Sequence, residues 1–237
     1  MNESAPVNEL DFGDYDWIVL DVTGTLLIPH PSPVEVYSQA AADCGVNIPL
    51  DALTERVREA IRWNFQRGSS ESEPLRRAET SELIERERWR SIVGESLQEL
   101  TREDHDRAYE RLWHHFSLPT SWRWNLPAKR FVEHCLQHSV PLAIATNFDS
   151  RVHAVLDGHP PLDQIKRRFL SSELGYSKPD RRFYDAVSEQ LQVPRKRILM
   201  VGDDAINDLQ GSRAAGWQAI HIRDIAAQPR FGNAKNF

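Results

Sequence analysis

Four short segments carry side chains suited to chemistry on an anionic, oxygen-rich ligand. The first, Asp21-Val22-Thr23-Gly24-Thr25-Leu26, directly follows the apolar run Trp17-Ile18-Val19-Leu20. An acid at the end of a buried strand, where the chain turns sharply and exposes backbone N–H groups, suits a carboxylate nucleophile facing an anion. The second is Thr146-Asn147, whose hydroxyl and backbone N–H can be offered to a bound oxyanion. The third, Gly175-Tyr176-Ser177-Lys178-Pro179-Asp180, places a cation just before a Pro-started helix. The fourth is Gly202-Asp203-Asp204-Ala205-Ile206-Asn207-Asp208, a second acidic strand end. Several carboxylates near one point are unfavourable unless a cation or shifted pKa values relieve them. Oxygen donors with no His or Cys beside them favour Mg²⁺.

The elements that must position these groups follow from the apolar pattern. Strands are expected at about Trp17–Asp21, Val140–Ala145, Phe169–Leu170, Ile198–Val201 and Trp217–Ile222. Helices fall between them: Pro127 to about His138, Pro179 to about Gln192, and a helix after Asp203 that Gly216 stops near Ala215. This alternation predicts an α/β fold with a doubly wound, mainly parallel, Rossmann-like sheet. Ligands of such sheets bind outside the carboxyl ends of the strands. Asp21, Thr146-Asn147, Ser171-Ser172 and Asp203-Asp204 all fall there, which is the strongest argument for one active site.

Between the first strand and the rest, after Pro29, Pro31 and Pro33, the pattern is helical. Helices are expected over Val34–Cys44 with Gly45 as C-cap, from Asp51 as N-cap to near Gly68, over Ala78–Val93, and from Thr101 as N-cap to about Phe116. The expected organisation is a core domain of residues 1–30 plus 120–237, with residues 31–119 as an inserted helical bundle.

Composition bounds the partners. The chain has 237 residues, 40% hydrophobic, and a net charge of −6, which gives no electrostatic footprint for nucleic acid or an anionic membrane. Two cysteines, Cys44 and Cys135, make neither a disulfide framework nor a zinc spacing. With no apolar run long enough to span a bilayer and a polar, acidic Met1–Asp16, a cytoplasmic protein is expected. His134 and His138 stand four apart but lack a third ligand, so a surface helix is expected there. Trp63, Trp89, Trp113, Trp122 and Trp124 are expected mostly in bundle or hinge packing. Gln66–Glu73 reads as a short loop, and Arg76 and Arg77 after it as solvated charges. There is no Gly-x-Ser-x-Gly elbow.

The motifs DVTGTL, Ala145-Thr146-Asn147, Lys178-Pro179-Asp180 and GDDAIND, in that order, resemble the haloacid dehalogenase-like (HAD) hydrolase superfamily. The resemblance covers nearly the whole chain. The inserted helices resemble the family's C1 cap in position, and Asn147-Phe148-Asp149-x-Arg151 together with Thr23 resembles the REG-2-like subgroup. The resemblance implies that Asp21 attacks phosphorus and forms an aspartyl-phosphate. It also implies Mg²⁺ held by Asp21, the Thr23 carbonyl and Asp203, with Asp208 in support and Asp204 as a lesser helper. Thr146 and Asn147 would hold the phosphoryl group, and Lys178 would neutralise it and orient Asp21.

Thr23 departs from the family pattern, where an Asp protonates the leaving oxygen and then deprotonates water. A Thr hydroxyl does not titrate near neutral pH. Transporters of the P-type ATPase class carry Thr at the equivalent place and still form an aspartyl-phosphate. The expected function is therefore a Mg²⁺-dependent phosphatase for a small phosphorylated metabolite. The alternatives are a 2-haloacid dehalogenase and a low-turnover phosphate- or Mg²⁺-binding protein acting through partners.

Overall fold

The computed structural model describes residues 12–66 and 79–227. In chain order, the strands are β1 (Trp17–Leu20), β2 (Leu27–Pro29), β3 (Trp122–Trp124), β4 (Leu142–Thr146), β5 (Arg167–Leu170), β6 (Ile198–Gly202) and β7 (Gln218–His221). Five of them form one parallel sheet in the order β5-β4-β1-β6-β7. β4 and β6 are buried along their whole length, as a sheet covered on both faces requires. The order reverses between β1 and β6, so Asp21 and Asp203 leave the sheet side by side at its switch point.

Helices α1 (Pro33–Ala42), α2 (Leu50–Gln66), α3 (Glu82–Ser96) and α4 (Arg102–His115) lie between β2 and β3 in the chain. The remainder, α5 (Leu126–Gln137), α6 (Arg151–Asp157), α7 (Ser171–Leu174), α8 (Arg181–Leu191), α9 (Gly211–Ala214) and α10 (Ile222–Ala227), alternate with the sheet strands. Alternate residues of one strand feed opposite layers. Ile18 and Leu20 pack with Phe131 and Val132 of α5 and Val152 and Val155 of α6. Val19 packs the other way, with Phe183 and Val187 of α8 and with Trp217. The expected α/β, doubly wound sheet is therefore the observed fold.

Helices α1 to α4 enclose a second cluster that includes Tyr37, Leu53, Val57, Val93, Tyr109 and Leu112. Where the chain leaves and re-enters the sheet region, β2 and β3 pair antiparallel, Leu27 opposite Trp124 and Pro29 opposite Trp122. Two three-residue strands carry no periodic signal, which is why the sequence does not announce them. None of the described helices is long and apolar enough to cross a membrane.

Several boundaries differ from expectation, each for a local reason. α2 starts at Leu50, so Asp51 sits in its first turn rather than capping it, still on the favourable end of the helix dipole. α1 ends at Ala42, with Asp43 at the cap. Ser81 caps α3 by accepting from Ile84 N, so that helix begins at Glu82; Ala78 lies outside the described residues. Asp180 accepts from Arg182 N and caps α8, which leaves Pro179 ahead of the helix. Thr101 caps α4 as expected, accepting from Asp104 N. Ala205–Gln210 is a wider π-helical turn before α9, and β7 ends at His221 because Ile222 opens α10.

Candidate active site

Asp21 follows β1, Thr146 closes β4, Ser171 opens α7 directly after β5, and Asp203 follows β6. All four stand on the carboxyl rim of the sheet, where the parallel strands were expected to bring them. Lys178 reaches this rim from the loop before α8 and is only 4% exposed. Its Nζ donates to Asp21 Oδ1 at 2.9 Å, Asp208 Oδ1 at 2.5 Å and the Ala145 carbonyl at 3.0 Å. Three donors meeting three acceptors leave the ammonium fully satisfied. Burial works against its charge, but Asp21 and Asp208 outweigh burial and hold its pKa above the ordinary lysine value.

Asp208 is 1% exposed, and its second oxygen accepts from Asp204 N at 3.1 Å. Burial and then the Asp21 charge push its pKa up to about 6, against the pull of Lys178 and of that backbone amide. Asp203 stands more open to solvent, and its Oδ1 accepts from the fully buried Thr25 hydroxyl at 2.7 Å. Asp21, Asp203 and Asp208 can each offer an oxygen within 4.8 Å of the others. One lysine against three carboxylates leaves the cluster net negative, and its donors are oxygens alone. That set fits Mg²⁺; the upward shift of Asp208 comes first from its burial and only then from the Asp21 charge beside it.

Two glycines make this approach possible. Gly24 has φ +85°, and a Cβ there would lie 2.4 Å from Asp203 Oδ2. A Cβ on Gly202 would lie 2.2 Å from Asp208 Oδ2, so only glycine lets Asp208 fold back against the strand end.

The remaining candidates sort by what they touch. Asn147 uses its side chain on the Lys178 backbone: Nδ2 donates to the carbonyl at 2.9 Å, and Oδ1 accepts from the amide at 2.8 Å. It fixes the lysine from a loop 31 residues away. Thr146 is buried at the strand end, paired in register with Leu170. Thr23 is exposed in the turn beyond Asp21, which a bridge to Leu27 closes. Asp204 is a cap: its Oδ1 accepts from Ile206 N and Asn207 N, both at 2.8 Å. The hydroxyls of Ser171 and Ser172 hold the Phe148 carbonyl at 3.4 and 3.3 Å.

Three contributors escaped the sequence reading. Thr25 orients Asp203 across 178 residues. Asn125 Nδ2 donates to the Thr25 carbonyl at 2.9 Å. The Tyr184 hydroxyl donates to the Asn207 carbonyl and braces the acidic loop from α8. A second hydroxyl four residues after the strand-end acid is a usable hint for Thr25; the other two have none.

The discounted signals lie elsewhere. His138 Nδ1 pairs with the His134 carbonyl at the end of α5, on the opposite rim from Asp21. Trp89 and Trp113 pack on the bundle cluster and Trp122 is buried, whereas Trp63 is 54% exposed. Neither Cys44 nor Cys135 forms a disulfide. Arg76, Arg77 and all of the Gln66–Glu73 loop after Gln66 lie outside the described residues.

An acid-tipped parallel sheet with a buried lysine between two of its carboxylates defines a class, and the chain belongs to it. Residues 15–216 match the haloacid dehalogenase-like hydrolase family, and the protein is a member of that family. It is 27% identical over 206 residues to haloacid dehalogenase-like hydrolase domain-containing protein 3 of Bos taurus, covering 85% of this chain and 79% of that one. Its fold is similar to that of the Bacillus subtilis HAD-hydrolase YfnB bound to magnesium, with TM-score 0.65, 18% identity, and coverage of 86% and 87%. It is also similar to L-2-haloacid dehalogenase from Xanthobacter autotrophicus, with TM-score 0.59, 17% identity, and coverage of 86% and 76%.

Proposed function

We propose that this chain is a Mg²⁺-dependent phosphohydrolase that acts on a small phosphorylated metabolite through an aspartyl-phosphate on Asp21. In this reading residues 1–30 plus 120–237 are the catalytic core, and residues 31–119 are a C1-type cap of the REG-2-like subgroup, in the cytoplasm. The observation that carries it is the Asp21–Lys178–Asp208 cluster with Asp203 beside it. A 2-haloacid dehalogenase shares the fold, so fold alone does not choose. Displacement of halide from carbon gains nothing from extra carboxylates, whereas a metal-assisted phosphoryl transfer uses them.

Asp21, Asp203 and the Thr23 carbonyl would hold Mg²⁺, with Asp208 behind them. When bound, the ion supplies positive charge against the phosphoryl oxygens. Lys178 holds Asp21 in place through its hydrogen bond to Oδ1, and the rim at Thr146 and Asn147 offers hydrogen bonds to the transferring group. An Asp21 oxygen forms the new P–O bond as the bond to the leaving oxygen breaks. Water then attacks phosphorus, releases phosphate and restores the carboxylate.

Thr23 sets the limit on this cycle. It can neither give a proton to the leaving oxygen nor take one from water, a loss worth about 10²–10⁴-fold in rate. Leaving groups that depart without protonation, such as acyl phosphates, are therefore favoured, unless the cap supplies a proton shuttle. The same residue supports a second reading, a phosphate- or Mg²⁺-binding protein with little turnover that works through partners. A phosphometabolite screen with and without Mg²⁺, run beside Asp21→Asn, tests the first reading. Single-turnover labelling separates the two: a phosphorylated Asp21 that persists favours the second, and rapid multiple turnover rejects it.

A further inference from the structure

We infer that Arg151 is a positioning residue that couples the placement of the helical block to the loop carrying Thr146 and Asn147. Its relevance to turnover rests on the phosphohydrolase reading, but the coupling itself does not.

Asp149, two residues beyond Asn147, is 1% exposed. Arg151 meets it fork to fork, Nε to Oδ1 and Nη2 to Oδ2, each at 2.7 Å. The Arg151 amide also donates to Asp149 Oδ1 at 3.2 Å, so the pair closes its own turn. The guanidinium then reaches out of the core. Its Cζ lies 3.4 Å from the centroid of the Trp113 ring, and Nη1 donates to the Trp113 carbonyl at 3.3 Å. Trp113 belongs to α4 and packs against Tyr109, 5.7 Å away, inside the bundle.

The intervening residue makes a second tether. Ser150 N and Oγ donate to the two carboxylate oxygens of Glu82, at 2.9 and 2.7 Å, in the first turn of α3. Residues 150 and 151 thus hold two helices of the block. Asn147 in the same loop grips Lys178, which holds Asp21. The contacts are continuous from α4 to the nucleophile.

Buried ion pairs add little net stability and are often replaceable by apolar groups. What a planar fork adds is orientation, since a bidentate guanidinium with its face on an aromatic ring admits one arrangement. Removal of the pair is therefore expected to loosen placement more than it lowers stability.

The test uses the full chain and hydrogen exchange read by mass spectrometry. Asp149→Leu/Arg151→Met removes the pair without stranding a charge, and Trp113→Leu removes the ring on which the guanidinium lies while leaving the backbone carbonyl. Each is expected to raise exchange in residues 146–150 about tenfold, with β6 unchanged. Combining them should add little to either alone, as members of one linkage behave. Should Trp113→Leu fail to fold, Trp113→Met, which also lacks an aromatic face, takes its place. Unchanged exchange in residues 146–150 with Trp113 replaced, or purely additive effects, would overturn the coupling. So would a rise spread evenly over the chain with a parallel fall in Tm, which marks a merely structural role. Labelling of wild-type Asp21 by acetyl phosphate runs alongside. If wild type is not labelled, the phosphohydrolase reading fails while the exchange result still decides Arg151. If it is labelled, Asp149→Leu/Arg151→Met should label about tenfold more slowly.

Discussion

The rim of the sheet and the helical block are built on different terms. At the rim, Lys178 has three named acceptors, Asp208 uses both oxygens, and two glycines are present because a Cβ would collide with a carboxylate. In the block, shape comes from an apolar cluster, while many charges pair at the surface, as Arg56 does with Glu99 and Arg58 with Glu55. Surface pairs of this kind are worth about 0–1 kcal/mol and tolerate exchange. A rim that admits one arrangement fixes a reaction class. A block held together mainly by apolar volume is freer to vary its surface.

Changes at the rim should therefore abolish chemistry, and changes in the block should mainly tune stability. Asp21→Asn should reduce turnover of any phosphate ester roughly 10⁴-fold or more with the fold intact. Steady-state rates and circular dichroism together check this. Residual activity near wild type would mean that Asp21 is not the nucleophile.

Lys178→Met comes next, because it leaves Asp21 and Asp208 buried without their cation. A loss of about 3–5 kcal/mol is expected at pH 8 without metal. The loss should shrink at pH 5, where Asp208 takes up a proton. The sign in the wild type follows from the same shift. With a folded pKa of about 6 against an ordinary 3.8, the folded state binds more protons than the unfolded one between those values. The Asp208 contribution to stability thus falls as pH rises through that window, opposite to an ordinary paired carboxylate. Urea unfolding at pH 5 and 8 measures both, and Mg²⁺ should restore stability at pH 8.

Thr23→Asp tests whether the rim lacks only a proton shuttle. Turnover of a poor leaving group should rise about 10²-fold, while that of acyl phosphates changes little. No increase on any monoester would sink the altered-shuttle reading and leave a binding role for the site.

The same contrast governs what was legible beforehand. β4 and β6 are continuous apolar runs buried throughout, so their ends, and with them Thr146 and Asp203, could be found by pattern alone. Pairings across long separations could not. Thr25 with Asp203, Tyr184 with Asn207, and the β2–β3 pair depend on where the folded chain returns, and no local periodicity encodes that. Helix starts shift where a neighbouring side chain takes the cap, as Asp180 caps α8 and leaves Pro179 ahead of the helix it was expected to open. Asp204, read as an uncertain helper of the metal, makes its hydrogen bonds to its own turn. An acid next to a site acid cannot be told from a cap by sequence, since both suit a helix N-terminus.

The smallest expected effect lies where the block begins. Ser32 and Glu35 form a capping box on α1: Glu35 N donates to Ser32 Oγ at 3.4 Å, and Ser32 N donates to Glu35 Oε2 at 2.8 Å. The Ser32 hydrogen bonds hold the Glu35 carboxyl below its ordinary pKa, although the group is solvent-exposed. Ser32→Ala should lower stability by about 1 kcal/mol, because Val36, Tyr37, Ala40 and Ala41 still anchor the helix in the bundle cluster. Turnover should not move, since Ser32 touches neither the rim nor the Arg151 linkage. Thermal unfolding and a rate measurement on one preparation decide it. A fall in rate beyond about tenfold with that modest loss of stability would mean that the start of α1 helps to place the block over the rim. The division between a chemical rim and a packing block would then have to be drawn inside α1, not at Pro29.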